Sequence, residues 1–162
     1  MKTFQFDIRN LPAEGKFLCG TQPGSFFALA EDDAVRAVSP LEYELTVVRD
    51  GKDIVATGVL AATFELQCGR CLQRFQHRVD MPDYRVELPI ENETTMDLTE
   101  PVREDMLLTL PNFPRCEDGN VEPRDCPAEG QFDRPPAAAE EPSAAEAGES
   151  AGVWGALDQL KP

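Results

Sequence analysis

Two cysteines separated by two residues, Cys68 and Cys71 in Leu66-Gln67-Cys68-Gly69-Arg70-Cys71-Leu72, constrain this chain more than any other feature. The spacing lets one tight turn aim two sulfurs at one point, which both zinc knuckles and dithiol redox centres require. The flanks separate the two readings. Val59 to Leu66 before the pair and Phe75 to Val86 after it read as strands, so the pair sits at a hairpin end. A redox pair instead gains its lowered thiol pKa at a helix N-terminus, beside a preceding Trp that is absent here. Cys116 and Cys126 lie well downstream. Four sulfurs are the number that closes a tetrahedral structural site.

The strands around the pair extend into a meander. Leu41 to Val48 is rich in β-formers, Asp50-Gly51 signals a hairpin turn, and Ile54 to Leu66 follows. A third strand runs from about Gln73 to Leu88, with Pro82 marking an edge position or a bulge. Phe4, Phe6 and Ile8 alternate with polar residues as a half-buried strand that could join the meander. Residues 16–19 and 25–30 are short apolar pieces around a Gln22-Pro23-Gly24 turn, and 34–38 reads equally as a short helix or a loop. After Pro89 and a polar run, Thr99 offers an N-cap, with Glu100 and Pro101 in the first turn. Val102, Met106, Leu107 and Leu110 fall on one face at helical spacing, and Pro111 and Pro114 stop that helix. Its apolar face is expected to pack on the sheet.

Charge divides the chain. Of 162 residues, 15 are basic and 30 acidic, a formal charge of -15. Residues 1–85 carry ten basic and twelve acidic side chains, and 86–162 carry five and eighteen, so the acidity belongs to the second half. Such a surface repels nucleic-acid phosphate at long range and attracts basic partners. Residues 134–151 are mostly Ala, Glu, Pro and Ser, which cannot bury enough surface to offset their ordering entropy and should be disordered. A short amphipathic segment, 152–162, follows and holds Trp154, the one tryptophan, as a docking peptide or a helix folding back.

No N-terminal stretch combines a basic head with an apolar run, and no run approaches the roughly 18 to 20 apolar residues that span a bilayer. A reducing cytoplasmic setting is expected, where metal binding or free thiol outranks disulfide. The fifth cysteine, Cys19, reads as a small buried hydrophobe. His77, the single histidine, is a possible substitute ligand, whereas Glu117, Asp118 and Asp125 read as solvated.

Arg70, Arg74 and Arg78 recur every four residues and make the one basic patch on an acidic chain. On a strand they share a face with Gln76, opposite Phe75 and Val79. They read either as a contact to RNA phosphate or an acidic protein, or as a solvated face paired to acids such as Glu42, Glu44 and Glu65. No phosphate loop, no HExxH, no GxSxG and no nucleophile–base pair is present, and one histidine leaves little for acid–base work. An enzyme is not expected.

These elements fall in a familiar order. A strand ending in Val59 to Phe64 precedes Cys68-Gly69-Arg70-Cys71-Leu72 and Phe75. An acidic linker leads through Asp97-Leu98-Thr99 to Glu104-Asp105-Met106-Leu107-Leu108-Thr109-Leu110-Pro111 and Pro114-Arg115-Cys116. The chain closes in Trp154-Gly155-Ala156-Leu157-Asp158-Gln159-Leu160-Lys161. This resembles the YceD family, the large ribosomal RNA subunit accumulation proteins, over most of residues 40–162. The resemblance implies a bacterial cytoplasmic protein, non-enzymatic, that supports synthesis, processing or stability of large-subunit ribosomal RNA. It places Cys68, Cys71, Cys116 and Cys126 where many members carry cysteines. Members with the fuller pattern space the second pair closely; here it stands apart.

The expectation is therefore an α+β domain at 1–133: an antiparallel sheet of about four to six strands, or a partial barrel, with one packed helix. A zinc-ribbon-like clasp of Cys68, Cys71, Cys116 and Cys126 would staple the excursion of residues 89–130 to the sheet, with zinc as its structural ion. Arg70, Arg74, Arg78 and Trp154 are the candidate contacts to large-subunit ribosomal RNA or a ribosomal protein; neither a membrane nor a small-molecule substrate is expected. The alternative is a zinc-stapled acidic adaptor for a basic protein, and a thiol redox protein is a third reading.

Overall fold

The computed structural model describes residues 4–30, 33–90 and 94–130. The expected linker and the segment bearing Trp154 lie outside the described residues. Among the described residues the architecture is mostly antiparallel sheet with one α-helix. Its centre is the predicted meander: β4 (Leu41–Asp50), β5 (Asp53–Gln67) and β6 (Arg74–Pro89). Leu41, Tyr43, Leu45 and Val47 of β4 are buried while Glu42 and Glu44 between them are exposed, the period of two expected of a sheet with one covered face. Asp50 pairs with Asp53 across Gly51, whose φ of 60 supplies the positive angle a two-residue hairpin turn requires. On β5 the core-facing set is Ile54, Ala56, Leu60, Ala62, Phe64 and Leu66.

β6 borders β5 along one side from Asp53 to Gln67. The register slips between Gly58 and Leu60, opposite Pro82 and Asp83, so Pro82 occupies both an edge strand and a bulge. The other side of β5 is shared. Residues 53–61 pair with β4, and 64–66 pair with β3 (Val35–Ala37), so the undecided stretch 34–38 is a strand. β2 (Lys16–Gln22) extends the sheet beyond β4.

Further expectations are corrected. The N-terminal strand β1 (Gln5–Asp7) does not join the meander; it pairs with β7 (Thr95–Asp97) in a separate two-stranded sheet. Its alternation still holds, since Phe4, Phe6 and Ile8 are all buried. The Phe4 ring packs at a tilt on Tyr43 of β4, centroids 4.8 Å apart, so the small sheet closes over the core face of the large one. Cys19 is exposed, not buried. On β2 the core claims Leu18, and alternation turns its neighbour outward.

The helix, α1, spans Thr99–Leu108. Thr99 is its first residue and not its N-cap: Leu98 caps it, and the Asp97 carboxylate accepts the Thr99 amide at 2.9 Å. Val102 and Met106 are fully buried, with Leu107 and Leu110 half-buried against the same core. The Arg103 guanidinium donates to the Phe26 carbonyl at 2.8 Å, and the Tyr84 hydroxyl donates to the Asp105 carboxylate at 3.0 Å. The first tie holds the helix to the 3-10 turn at Gly24–Phe27 and the second holds it to β6. Among the described residues no helix is long and apolar enough to cross a membrane.

Candidate metal centre

The β5–β6 connection is where the paired cysteines sit. The Gln73 carbonyl accepts the Cys68 amide at 2.9 Å and closes the hairpin, and the Cys68 carbonyl accepts the Leu72 amide at 3.0 Å. Between them the chain turns so tightly that the Arg70 amide donates to the Cys68 sulfur at 3.4 Å. Leu72 completes the turn with φ 59, a left-handed angle that a side chain rarely adopts. Arg70 therefore belongs to the turn, not to the strand face where its four-residue spacing had put it.

The arm that follows α1 delivers the other two sulfurs by different means. The Pro114 carbonyl accepts the Gly69 amide at 2.8 Å, which docks the arm on the knuckle. Cys116 opens a single 3-10 turn, Cys116–Asp118, whose Asp118 carboxylate accepts the Arg115 amide at 2.8 Å. Cys126 starts a turn built like the one at Cys68. The amide two residues on, that of Ala128, donates to the Cys126 sulfur, and the fifth residue, Gly130, has φ 74. Glu129 stands where the second cysteine of a knuckle would be. The sequence carries this signal as Cys126-Pro127 followed by Gly130, a half-knuckle, and spacing to Cys116 alone does not reveal it.

The four sulfurs converge. Cys68 and Cys126 lie 3.9 Å apart, Cys71 and Cys116 3.5 Å, and all four within 4.8 Å of one another. Cys68, Cys116 and Cys126 are buried and Cys71 is half-buried. Such a set can hold one metal ion. His77 does not join it: the Asp118 carbonyl accepts from His77 Nδ1 at 2.6 Å, so the ring clips the arm to β6. Asn120 adds a second clip, its side chain accepting the Arg78 amide at 2.7 Å and donating to the Arg78 carbonyl at 2.8 Å.

The thiols are not equivalent. Burial pushes the Cys68 thiol up, but the amides of Cys71 and Arg70 outweigh it, and with the Cys116 and Cys71 thiols they hold it down to about 6. Burial pushes Cys116 up to about 12, with the Cys71 thiol adding to the rise and Arg124 opposing it. Cys126 is raised, by burial first. Cys68, whose thiol is held down, is fully buried, whereas a redox nucleophile needs both thiolate character and access.

Arg70, Arg74 and Arg78 all carry acid partners. Arg70 pairs with Glu117 at 2.8 Å, Arg74 with Glu65 at 3.2 Å, and Arg78 with Glu42 at 3.1 Å and Asp80 at 2.9 Å. Two of the three acids named from sequence, Glu42 and Glu65, are among them. Sequence reasoning missed Arg124, whose Nη2 donates to the Cys116 sulfur at 3.2 Å; nothing in Pro123-Arg124-Asp125 distinguishes it from a surface arginine.

No family model, curated protein or solved structure matches this chain.

Proposed function

We propose that this chain is a non-enzymatic ribosome-biogenesis factor of the YceD type, supporting large-subunit ribosomal RNA in a bacterial cytoplasm, with a structural zinc ion held by Cys68, Cys71, Cys116 and Cys126. The observation that carries the reading is the meeting of four sulfurs from the Cys68–Cys71 turn and the arm after the Leu-Pro helix, the two motifs on which the resemblance rests. The donor set suits zinc. A tetrahedral site with Zn–S of about 2.3 Å has sulfur–sulfur edges of about 3.8 Å, and the two shortest sulfur separations, 3.5 and 3.9 Å, lie near that value. Bound there, zinc would supply a fourfold cross-link in the manner of a zinc ribbon. The residues do the rest. The amides of Arg70 and Ala128 orient two sulfurs, the Gly69–Pro114 bond sets the separation of the two turns, and the hydrophobic core keeps water from three of the four ligands.

A second reading, an acidic adaptor for a basic ribosomal protein, is favoured by the ion pairs. Phosphate contact through Arg74 and Arg78 would first have to displace Glu65, Glu42 and Asp80. The two readings differ in who touches RNA. Reversing Arg70, Arg74 and Arg78 to Glu abolishes a salt-dependent RNA association if contact is direct, and leaves capture of the basic protein intact if the chain is an adaptor.

Two measurements test the main reading. Protein purified without chelator should contain about one zinc per chain. Depleting the protein in cells should lower large-subunit relative to small-subunit RNA, and wild type should restore the ratio where a Cys71→Ser, Cys116→Ser chain does not. Metal-free wild type removes the clasp, and an unchanged RNA ratio on depletion removes the ribosomal role.

A further inference from the structure

We infer that Arg124 is the charge partner of the cysteine cluster, the residue that suits the site to a divalent metal tetrathiolate instead of a metal-free cluster. The inference rests on the metal reading above and deepens it. Arg124 sits two residues before Cys126 and sends Nη2 to the Cys116 sulfur at 3.2 Å. Its Nε is buried and has no hydrogen-bond partner among the described residues. Glu117 and Asp125 line the same surface hollow as Arg124, about 330 Å³ in volume, but Glu117 is committed to Arg70 at 2.8 Å.

A guanidinium placed this way is costly beside a neutral Cys116 thiol. It is always protonated, it has given up water on one side, and a thiol is a weak acceptor. The balance reverses once the four sulfurs are thiolates on a divalent ion, because four negative charges and two positive leave the cluster at −2. A cation against the Cys116 sulfur then offsets half of that charge within a region of low dielectric. Its N–H···S bond becomes charge-assisted and withdraws electron density from that ligand. The buried, unpartnered Nε has the same meaning: the cation is set toward the cluster and not toward the carboxylates around it.

The test uses the full chain with Zn²⁺ and, as a spectroscopic probe, Co²⁺. Arg124→Gln removes the charge and keeps a donor; Arg124→Lys keeps the charge and one donor. The Gln chain should bind Zn²⁺ about tenfold to a hundredfold more weakly in competition with a chelating dye, and the Lys chain within a few-fold of wild type. The sulfur-to-cobalt charge-transfer band should move to lower energy in the Gln chain, since a thiolate relieved of a cationic donor gives up its electrons more readily. A purely structural role for Arg124 would not move that band. Equal affinity and an unmoved band in the Gln chain overturn the inference, and so does equal weakening in Gln and Lys. Should the Gln chain fail to fold, the Lys chain decides: near-wild-type affinity supports the charge role and a tenfold loss refutes it. Wild type that binds neither ion removes the metal reading and this inference together, whereas tight wild-type binding with an indifferent Gln chain removes this inference alone.

Discussion

If the cysteine cluster holds the proposed zinc ion, stripping it is expected to lower the stability of the domain by about 4 kcal/mol. The Cys71–Cys116 and Cys68–Cys126 contacts close loops of 45 and 58 residues. A cross-link of that span removes about 4 kcal/mol of freedom from the unfolded chain, and the value changes little between the two loops because it grows only with the logarithm of length. Apart from the sulfurs, the arm beyond α1 is held by the Gly69–Pro114 bond, the Asn120 and His77 clips on β6 and the Arg70–Glu117 pair. In a domain of this size each kcal/mol moves the thermal midpoint by about 3 to 5 °C, so a strong chelator should lower Tm by about 10 to 20 °C in scanning calorimetry. Cys126→Ser should reproduce most of that loss without chelator. Hydrogen exchange should place the loosening: the amides of Gly69, Gly119 and Glu129 lose protection first, while those of the β4–β5 ladder keep theirs. Zinc-loaded protein whose midpoint is indifferent both to chelator and to Cys126→Ser would show that the arm holds itself, and the loop-closure reasoning would be wrong.

Three further outcomes follow from single residues. Leu72→Gly should stabilise the protein by about 0.5–1 kcal/mol, because relief of a left-handed leucine at φ 59 exceeds the entropy glycine adds to the unfolded chain, and Leu72 is 67% exposed; a Tm that falls would contradict this. Gly58→Ala should destabilise by about 3 kcal/mol or more, read as a shifted urea midpoint, since its Cβ would stand 1.9 Å from the Glu44 carbonyl oxygen at φ 153. Burial, and then the bond to Asp105, raise the Tyr84 phenol above its ordinary value. The folded chain therefore keeps a proton that the unfolded chain releases above about pH 10, and stability falls as pH rises past that point, by up to about 1.4 kcal/mol per pH unit. Tyr84→Phe should lose about 1 kcal/mol near neutrality with its hydrogen bond and should flatten that alkaline slope in urea titrations between pH 8 and 11.

The meander was legible because local signals agreed. Leu41 to Val48 alternates cleanly, Asp50-Gly51 admits one kind of turn, and the run to Leu66 is too rich in β-formers to be anything but strand. What could not be read is which strand finds which. Gln5–Asp7 carries its own burial pattern but no mark of its partner, and Thr95–Asp97, which immediately precedes α1, is too short to announce the pairing. Val35–Ala37 is too short to show a period, and it becomes a strand only because β5 outruns β4 and leaves 64–66 with an open side. Cys19 illustrates the same limit at one residue: both Leu18 and Cys19 suit a core, and strand alternation allows only one of them in.

At the site, chemistry spoke more clearly than spacing. Cysteine is one of few residues with reason to gather in fours, so convergence was expected even though the second pair lacks knuckle spacing. The arginine stripe left two readings open, a contact surface or a face paired to acids, and the ion pairs to Glu65 and Glu42 follow the second. A four-residue recurrence along one strand looks like a cationic ridge, but a sheet is read across as well as along. Arg78 stands opposite Thr63, and its guanidinium reaches over β5 to Glu42 on β4. Arg74 finds Glu65, the residue beside its own partner's neighbour in the β5–β6 register. Cross-strand pairing thus turns a linear basic motif into a neutralised surface, and the charge left over on a chain of net -15 is acidic. A partner selected by long-range electrostatics should then be cationic, a basic protein surface and not a phosphate backbone.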